Sequence, residues 1–348
     1  MVEYPVPLRS VLLALALAFV ALAAWEIHWR GEDYRVAPED DKHLWAEQRA
    51  KVERLGPEDV VLLGSSRILF DIQLDEWEAE AGRRPVMLAA AGTTPLPVLI
   101  DLVENSAFNG TIVLGITPPL YFSPPGDEHY FWRRISNWVK HYHTRTYADR
   151  FNHLVAKAPQ GAFAFLNATE ETFFDELDLR TRLETLVAPR RVPAQPPFPI
   201  FQYLDQDRNV TMWRADTDTA LARMVTDFWS FVIQPPDPMP PPEAIEELRQ
   251  AIIGMSVEQI EKFRARGGKV ILVRCPSQDV FRAAENGGFP REKYWDPLVE
   301  ATGCPAYHFE DYDFMNQYTL PEWSHLNSQD AKQFTTDLVR QMKEDGVL

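Results

Sequence analysis

The feature that most constrains this fold is the apolar run 60–63, which ends abruptly in the small-residue turn 64–66. Four apolar residues closed by such a turn are typical of a strand that is buried on both faces, as in a parallel sheet. Similar runs follow at 85–90 and 111–116, each ending in a turn of small residues or prolines. Because helical segments separate these runs, the order predicts right-handed βαβ units and a parallel sheet.

The pattern changes between residues 125 and 242, where aromatic-rich helical stretches are broken by proline clusters at 190–197 and 235–242. Proline runs continue neither a helix nor a central strand, so this region is predicted to be an insertion that caps or borders the site. A helix at 243–266, a strand at 269–274 and a last helix at 328–343 complete the pattern. We therefore predict a three-layer α/β/α domain over 31–348 with a helical, proline-rich insertion.

The segment Ser10–Trp25 is apolar and uncharged, which sets residues 1–30 apart from the rest of the chain. As a helix it is about 24 Å long, slightly short of the roughly 30 Å hydrocarbon core of a membrane. We predict an N-terminal transmembrane anchor. Since the residues 21–23 also resemble a signal-peptidase site, a cleaved signal is the alternative, and either one places the domain outside the cytoplasm.

The formal net charge of -16 excludes nucleic acid as a predicted partner, because phosphate binding needs a basic face. The two cysteines, Cys275 and Cys304, are too few for a disulfide framework and wrongly spaced for a zinc site. They either pair in an oxidising compartment or remain buried thiols. No metal or organic cofactor is predicted.

The carboxyl ends of four predicted strands carry polar residues, at 65–67, 92–94, 117 and 274–277. Ligands gather at this edge of an open parallel sheet. Near the end of the chain, Glu322 stands three residues before His325. A serine needs a base to become a nucleophile, and the base needs an orienting partner. We predict Ser66 as nucleophile, with Ser65 as second choice, His325 as base and Glu322 as its partner.

Arg67 and Arg274 are candidate substrate-binding residues, because a guanidinium binds a carboxylate or phosphate bidentately. The alternative is an ion pair with a neighbouring acid. The aromatic stretch 130–143 either packs in the core or stacks on sugar rings.

These segments resemble the SGNH/GDSL hydrolase superfamily. Its first block, usually Gly-Asp-Ser, matches the turn 64–66, its second-block glycine matches Gly92, and its Asp-x-x-His block matches 322–325 with glutamate for aspartate. The resemblance implies an SGNH-like, flavodoxin-like sheet and an oxyanion hole that includes the N–H groups of Ser66 and Gly92. The third-block asparagine is absent, since 115–118 stands in its place, and Thr117 is the candidate replacement.

The chain resembles more closely the divergent membrane-anchored branch, whose members serve acyl transfer onto cell-wall polymers and exopolysaccharides and often carry Gly-Ser-Ser. This resemblance implies a periplasmic serine esterase or O-acyltransferase that acts on a cell-envelope glycan or lipid-linked acyl ester, together with polysaccharide-modification proteins. Loss of an oxyanion donor lowers a rate by about 10²- to 10³-fold. A catalytically degenerate binding or assembly subunit is therefore the first alternative, and a purely structural membrane-anchored protein is the second.

Overall fold

Five strands form one parallel sheet in the computed structural model, which describes residues 7–167, 199–235 and 238–348. The strands are β1 Val60–Leu63, β2 Val86–Met87, β3 Thr111–Gly115, β6 Lys269–Arg274 and β7 Ala306–His308, with β4 Gln202–Leu204 and β5 Val210–Met212 in a separate antiparallel hairpin. The sheet order is β2-β1-β3-β6-β7. The connections reverse direction between β1 and β3, and a crevice forms at such a point in a doubly wound sheet.

Helices cover both faces of the sheet, as the α/β prediction requires. Those in the described residues are α1 Leu8–Gly31, α2 Lys42–Lys51, α3 Ser66–Asp71, α4 Leu74–Ala81, α5 Leu96–Asn105, α6 Pro118–Tyr121, α7 Tyr130–Thr144, α8 Tyr147–Gln160, α9 Thr219–Val232, α10 Pro242–Ala265, α11 Asp279–Gly288, α12 Arg291–Thr302, α13 Asp313–Asn316 and α14 Ser328–Glu344. The predicted second strand, 85–90, is regular only over β2, although the N–H groups of Leu88 and Ala90 still donate to the carbonyls of Leu62 and Gly64. The short β7 was not predicted, because three residues carry no recognisable apolar run.

The core has two layers because successive strand residues point to opposite faces. Val60 and Leu62 of β1 lie in the cluster that includes residues of α3, α4, α14 and the β4–β5 hairpin. Val61 and Leu63 lie in the cluster formed with α2, α5, α7, α10 and α12. Two apolar layers around a parallel sheet confirm the predicted α/β class.

The described parts of the predicted insertion contribute to both layers. Trp132 and Trp138 of α7 are buried, so these two members of the aromatic stretch pack in the core rather than on a ligand. Phe201, next to β4, is buried in the other layer. The proline cluster 190–197 lies outside the described residues.

Helix α1 is longer than the predicted apolar segment. Its 24 residues correspond to about 36 Å, and none of them is buried. It is long and apolar enough to cross a membrane, and a signal sequence has the same properties. The region after α1 belongs to the folded domain, since Leu44 and Trp45 of α2 are fully buried.

Candidate active site

Ser66 begins helix α3 directly after β1, at the carboxyl edge of the sheet. The tight strand-to-helix turn depends on glycines. A side chain at Gly64, or at Gly115 on β3, would collide with Ile68 of α3, which packs against both. Ser65 is buried, whereas Ser66 is partly exposed. The structure therefore places Ser66, the first-choice nucleophile, where a substrate can reach it.

The loop before α14 brings the predicted base and acid to Ser66. The Ser66 Oγ lies 2.8 Å from Nε2 of His325, and Nδ1 of His325 lies 2.9 Å from Oε1 of Glu322. A neutral imidazole that donates from Nδ1 to the carboxylate has Nε2 free to accept the serine proton. Ser66 and His325 are 259 positions apart in the sequence, and the fold brings them into one hydrogen-bonded relay with Glu322.

The Glu322 carboxylate is fully buried, and its hydrogen-bond partners are two backbone N–H groups, an indole and the His325 imidazole. Its Oε1 accepts from the backbone N–H of His325 at 2.6 Å and from that of Ser324 at 3.3 Å. Its Oε2 accepts from the indole N–H of Trp229 on α9. The carboxylate is thus held in place from both sides, and its orientation fixes that of His325.

Packing and backbone contacts hold the imidazole and its loop. The Phe70 ring stacks on His325 with centroids 4.3 Å apart. Asp71, at the end of α3, accepts the backbone N–H of Leu326 at 2.9 Å. From the β6 side, the Gln278 N–H donates to the Trp323 carbonyl at 2.8 Å. Trp323 has a positive φ of 75°, and these contacts stabilise the turn that presents His325.

The carboxyl group of Asp71 is buried beside the site. Burial raises its pKa well above the usual range, and the nearby Glu322 acts in the same direction, against the opposing effects of the Leu326 N–H and Arg67. One consequence is that Asp71 retains its proton over a wider pH range than an exposed aspartate does. A neutral Asp71 avoids a second negative charge next to Glu322.

The predicted oxyanion donors lie at neighbouring strand ends. Ser66 occupies the first turn of α3, whose N–H groups have no intrahelical acceptor. Gly92 stands in a left-handed conformation, φ 67°, in the turn after β2. That turn runs beside β1, because the Ala90 N–H donates to the Gly64 carbonyl at 3.1 Å. Thr117 follows β3 and is buried, at the start of α6.

Arg67 and Arg274, the candidate substrate-binding residues, form the internal ion pairs that were the alternative for them. Both are buried and both pair with Glu285 of α11, at 2.8 Å and 2.6 Å. Arg67 also contacts Ser324 Oγ at 3.3 Å. The physical reason is that a buried guanidinium needs a counter-charge, and the acid of the next helix supplies it.

Glu285 is ionised in this cluster. Its burial opposes ionisation, but Arg274 and Arg67 outweigh that effect and lower the pKa of Glu285 to about 2. Burial also lowers the pKa of Arg274 to about 10, with the like charge of Arg67 in the same direction and Glu285 opposing. The Ser277 hydroxyl donates to the same carboxylate at 2.6 Å.

Sequence reasoning missed three residues that support the site: Asp71, Trp229 and Glu285. A signal existed for Asp71, since a lone acid in the apolar run 68–72 is typically buried and paired. Trp229 and Glu285 come from distant segments that carry no local signal. The two cysteines are separate buried thiols.

No group of three or more His, Cys, Asp or Glu side chains in the described residues has the arrangement of a metal site. The comparisons with known proteins add no identification. No protein-family model matches this chain, and no curated protein is similar to it.

Proposed function

We propose that this chain is a serine esterase or O-acyltransferase of the SGNH type, anchored by α1 and acting outside the cytoplasm. The observation that carries the proposal is the relay from Ser66 through His325 to Glu322, with contacts of 2.8 Å and 2.9 Å. Both distances are within the hydrogen-bond reach that a nucleophile, a base and its orienting group require. The serine turn and the position at the β1–β3 crevice support the same assignment.

In the proposed reaction His325 Nε2 takes the proton of Ser66 while Oγ attacks an ester carbonyl carbon. The N–H groups of Ser66 and Gly92 stabilise the oxyanion of the tetrahedral intermediate. The imidazolium, stabilised by Glu322, returns the proton to the leaving alcohol. His325 then deprotonates water or a sugar hydroxyl, which attacks the acyl-serine and releases Ser66. We propose an envelope glycan or lipid-linked acyl ester as substrate.

The alternative is a degenerate SGNH-like subunit that binds an envelope polysaccharide without turnover. The observation in its favour is the segment 115–118, which has no asparagine to donate to an oxyanion. Gly115 is also required for packing against Ile68. A donor from this strand end would have to be Thr117.

Labelling of the full-length protein with a fluorophosphonate probe tests the proposal. We expect the wild type to be labelled, and both Ser66→Ala and His325→Ala to lose labelling. Ser66→Ala should keep a thermal midpoint near that of the wild type. His325→Ala should lower the midpoint while remaining folded at the labelling temperature, because it removes a buried ring that stacks on Phe70 and bonds to Glu322. Ser65→Ala is the matched control and should retain labelling. A folded wild type that does not react would overturn the enzymatic proposal in favour of the binding subunit.

A further inference from the structure

Helix α8 presents its apolar side chains to the outside of the protein. Tyr147, Phe151, Leu154 and Val155 follow the spacing i, i+4, i+7 and i+8, so they share one face. Their exposures are 91%, 65%, 66% and 53%. In a soluble domain the apolar face of such a helix turns to the core. We call these four residues the α8 apolar face.

The polar side of α8 faces the domain instead. His153 lies 3.2 Å from the Glu47 carboxylate of α2, and Lys157 pairs with the same group. A capping box between Thr146 and Asp149 fixes the start of the helix. No residue of α8 is buried. The outward orientation of the apolar face is therefore set by specific polar contacts on the opposite side.

The end of α8 is fastened to the domain end of α1. Glu26 of α1 accepts the backbone N–H groups of Ala164 and Phe165 at 3.0 Å and 3.1 Å. Arg30 donates to the Ala162 carbonyl at 3.0 Å. These contacts lie immediately after the apolar part of α1, which ends at Trp25. If α1 crosses a bilayer, α8 is held at the level where the chain leaves it.

The charge around the α8 apolar face favours an anionic surface. In a chain with a net charge of -16, residues 130–160 contain one acidic residue, Asp149. The exposed basic residues of the same stretch are Arg133 and Lys140 of α7 and Arg150 of α8, whereas Arg134, Arg145 and Lys157 bond to groups of the domain. Basic residues beside an exposed apolar helix face are typical of segments that lie in the interface of a membrane with anionic lipids.

We propose that α8 is an interfacial helix whose apolar face lies in the headgroup region of an anionic lipid bilayer, next to the point where α1 leaves it. This inference does not depend on the proposed catalytic activity. An interfacial α8 adds a second membrane attachment to that of α1, and two attachments fix the orientation of the domain. The β4–β5 hairpin beside His325 also contacts the segment after α1, since the Trp213 indole donates to the Asp33 carbonyl at 3.2 Å.

Depth measurement on the full-length protein in lipid nanodiscs tests the proposal. A Leu154→Cys variant carries an environment-sensitive fluorophore, and Glu300→Cys on α12 is the control at an exposed site. The unsubstituted protein, whose two cysteines are buried, is the labelling blank. The nanodiscs contain phosphatidylglycerol and a lipid with a spin label near the top of its acyl chain.

We expect several-fold stronger quenching by the spin-labelled lipid at position 154 than at position 300. An unshifted, unquenched fluorophore at position 154 would overturn the proposal. A blue-shifted fluorophore that the lipid does not quench would also overturn it, because another part of the chain or a second copy would then cover the face.

A second variant separates lipid contact from a folding effect. Phe151→Glu in a Tyr147→Cys background changes only exposed positions, so the thermal midpoint should not move. The added charge should greatly reduce lipid quenching at position 147. Quenching that persists unchanged would contradict burial of this face in the bilayer.

Discussion

Two buried glutamates lie at the same edge of the sheet and have different kinds of partner. Glu322 accepts hydrogen bonds from two backbone N–H groups, an indole and an imidazole. Glu285 is bound by the permanent cations Arg67 and Arg274. Both carboxylates are almost completely removed from solvent.

The partners of the two carboxylates suit them to different roles. Those of Glu322 suit a site of proton transfer, and those of Glu285 suit a buried ion pair that stabilises the fold. The donors to Glu322 are backbone, indole and imidazole groups and not permanent cations, so a positive charge that forms on His325 would be stabilised there. Around Glu285 the charge is already compensated, so no proton has to move. The Arg67 contact to Ser324 joins the two regions. Substitutions around Glu322 should therefore act mainly on the reactivity of Ser66, and substitutions around Glu285 mainly on stability.

The largest effect is expected for Glu322→Gln. The amide removes the charge that would stabilise a His325 imidazolium and disturbs the His325 tautomer, so the rate of Ser66 labelling should fall by about 10⁴-fold. Stability should fall by about 1–3 kcal/mol, because one donor loses its acceptor. Fluorophosphonate labelling rates and chemical unfolding measure the two effects, with Glu300→Gln as the exposed control. A labelling rate close to that of the wild type would remove Glu322 from the relay.

Glu285→Gln should act mainly on stability. It leaves two buried guanidinium groups without a counter-charge, and we expect a loss of about 3–5 kcal/mol at pH 7. The pKa of Glu285 in the folded protein, about 2, is below its ordinary value of 4.5. The contribution of Glu285 is therefore present above about pH 4.5 and is lost as the pH falls towards 2.

Unfolding curves of the wild type and of Glu285→Gln should accordingly converge between pH 4.5 and pH 2. Glu292→Gln, at an exposed position of α12, is the control. A constant difference between the two curves across this range would contradict the ion-pair account.

A smaller effect is expected for Trp229→Phe. This change removes the indole N–H that donates to Glu322 and keeps most of the ring. We expect about a tenfold loss of labelling rate, which corresponds to roughly 1.4 kcal/mol in the barrier. Trp132→Phe is the matched control, because that indole donates to the Ser123 carbonyl away from the relay. Equal rates for the two variants would make the Trp229 contact purely structural.

The smallest effect is expected for Asp71→Asn. The amide oxygen still accepts the Leu326 N–H, so the labelling rate should stay within about twofold of the wild type. The raised pKa of Asp71 means that its favourable contribution is present at low pH and is lost as the pH rises through the folded-state pKa. The stability of the asparagine variant relative to wild type should therefore increase with pH.

Asp71→Ala provides the comparison, because it leaves the Leu326 N–H without an acceptor. Since neither variant titrates at position 71, Asp71→Ala should be about 1–3 kcal/mol less stable than Asp71→Asn at any pH. A decrease in the relative stability of Asp71→Asn with rising pH would show that the ionised carboxylate supports the loop.

Much of the fold could be predicted from the sequence, because its signals are local. The strands at 60–63, 111–115 and 269–274 are continuous apolar runs, and α14 begins at the Asn327 cap. The strand β7 and the β4–β5 hairpin are three-residue elements, and such short segments form only because the rest of the domain supports them. Their sequences gave no periodic signal.

The sequence by itself determined the parallel sheet, the apolar N-terminal helix and the residues Ser66, Glu322 and His325, since each depends on patterns within a few positions. Only the tertiary structure decided that Arg67 and Arg274 pair with Glu285, that Trp229 contacts Glu322 and that α8 turns its apolar face outward. Partner choice for a buried charge, and the side of a helix that meets the core, depend on segments far apart in the chain. Burial removes the competing water, so the nearest complementary group, wherever it lies in the sequence, becomes the partner.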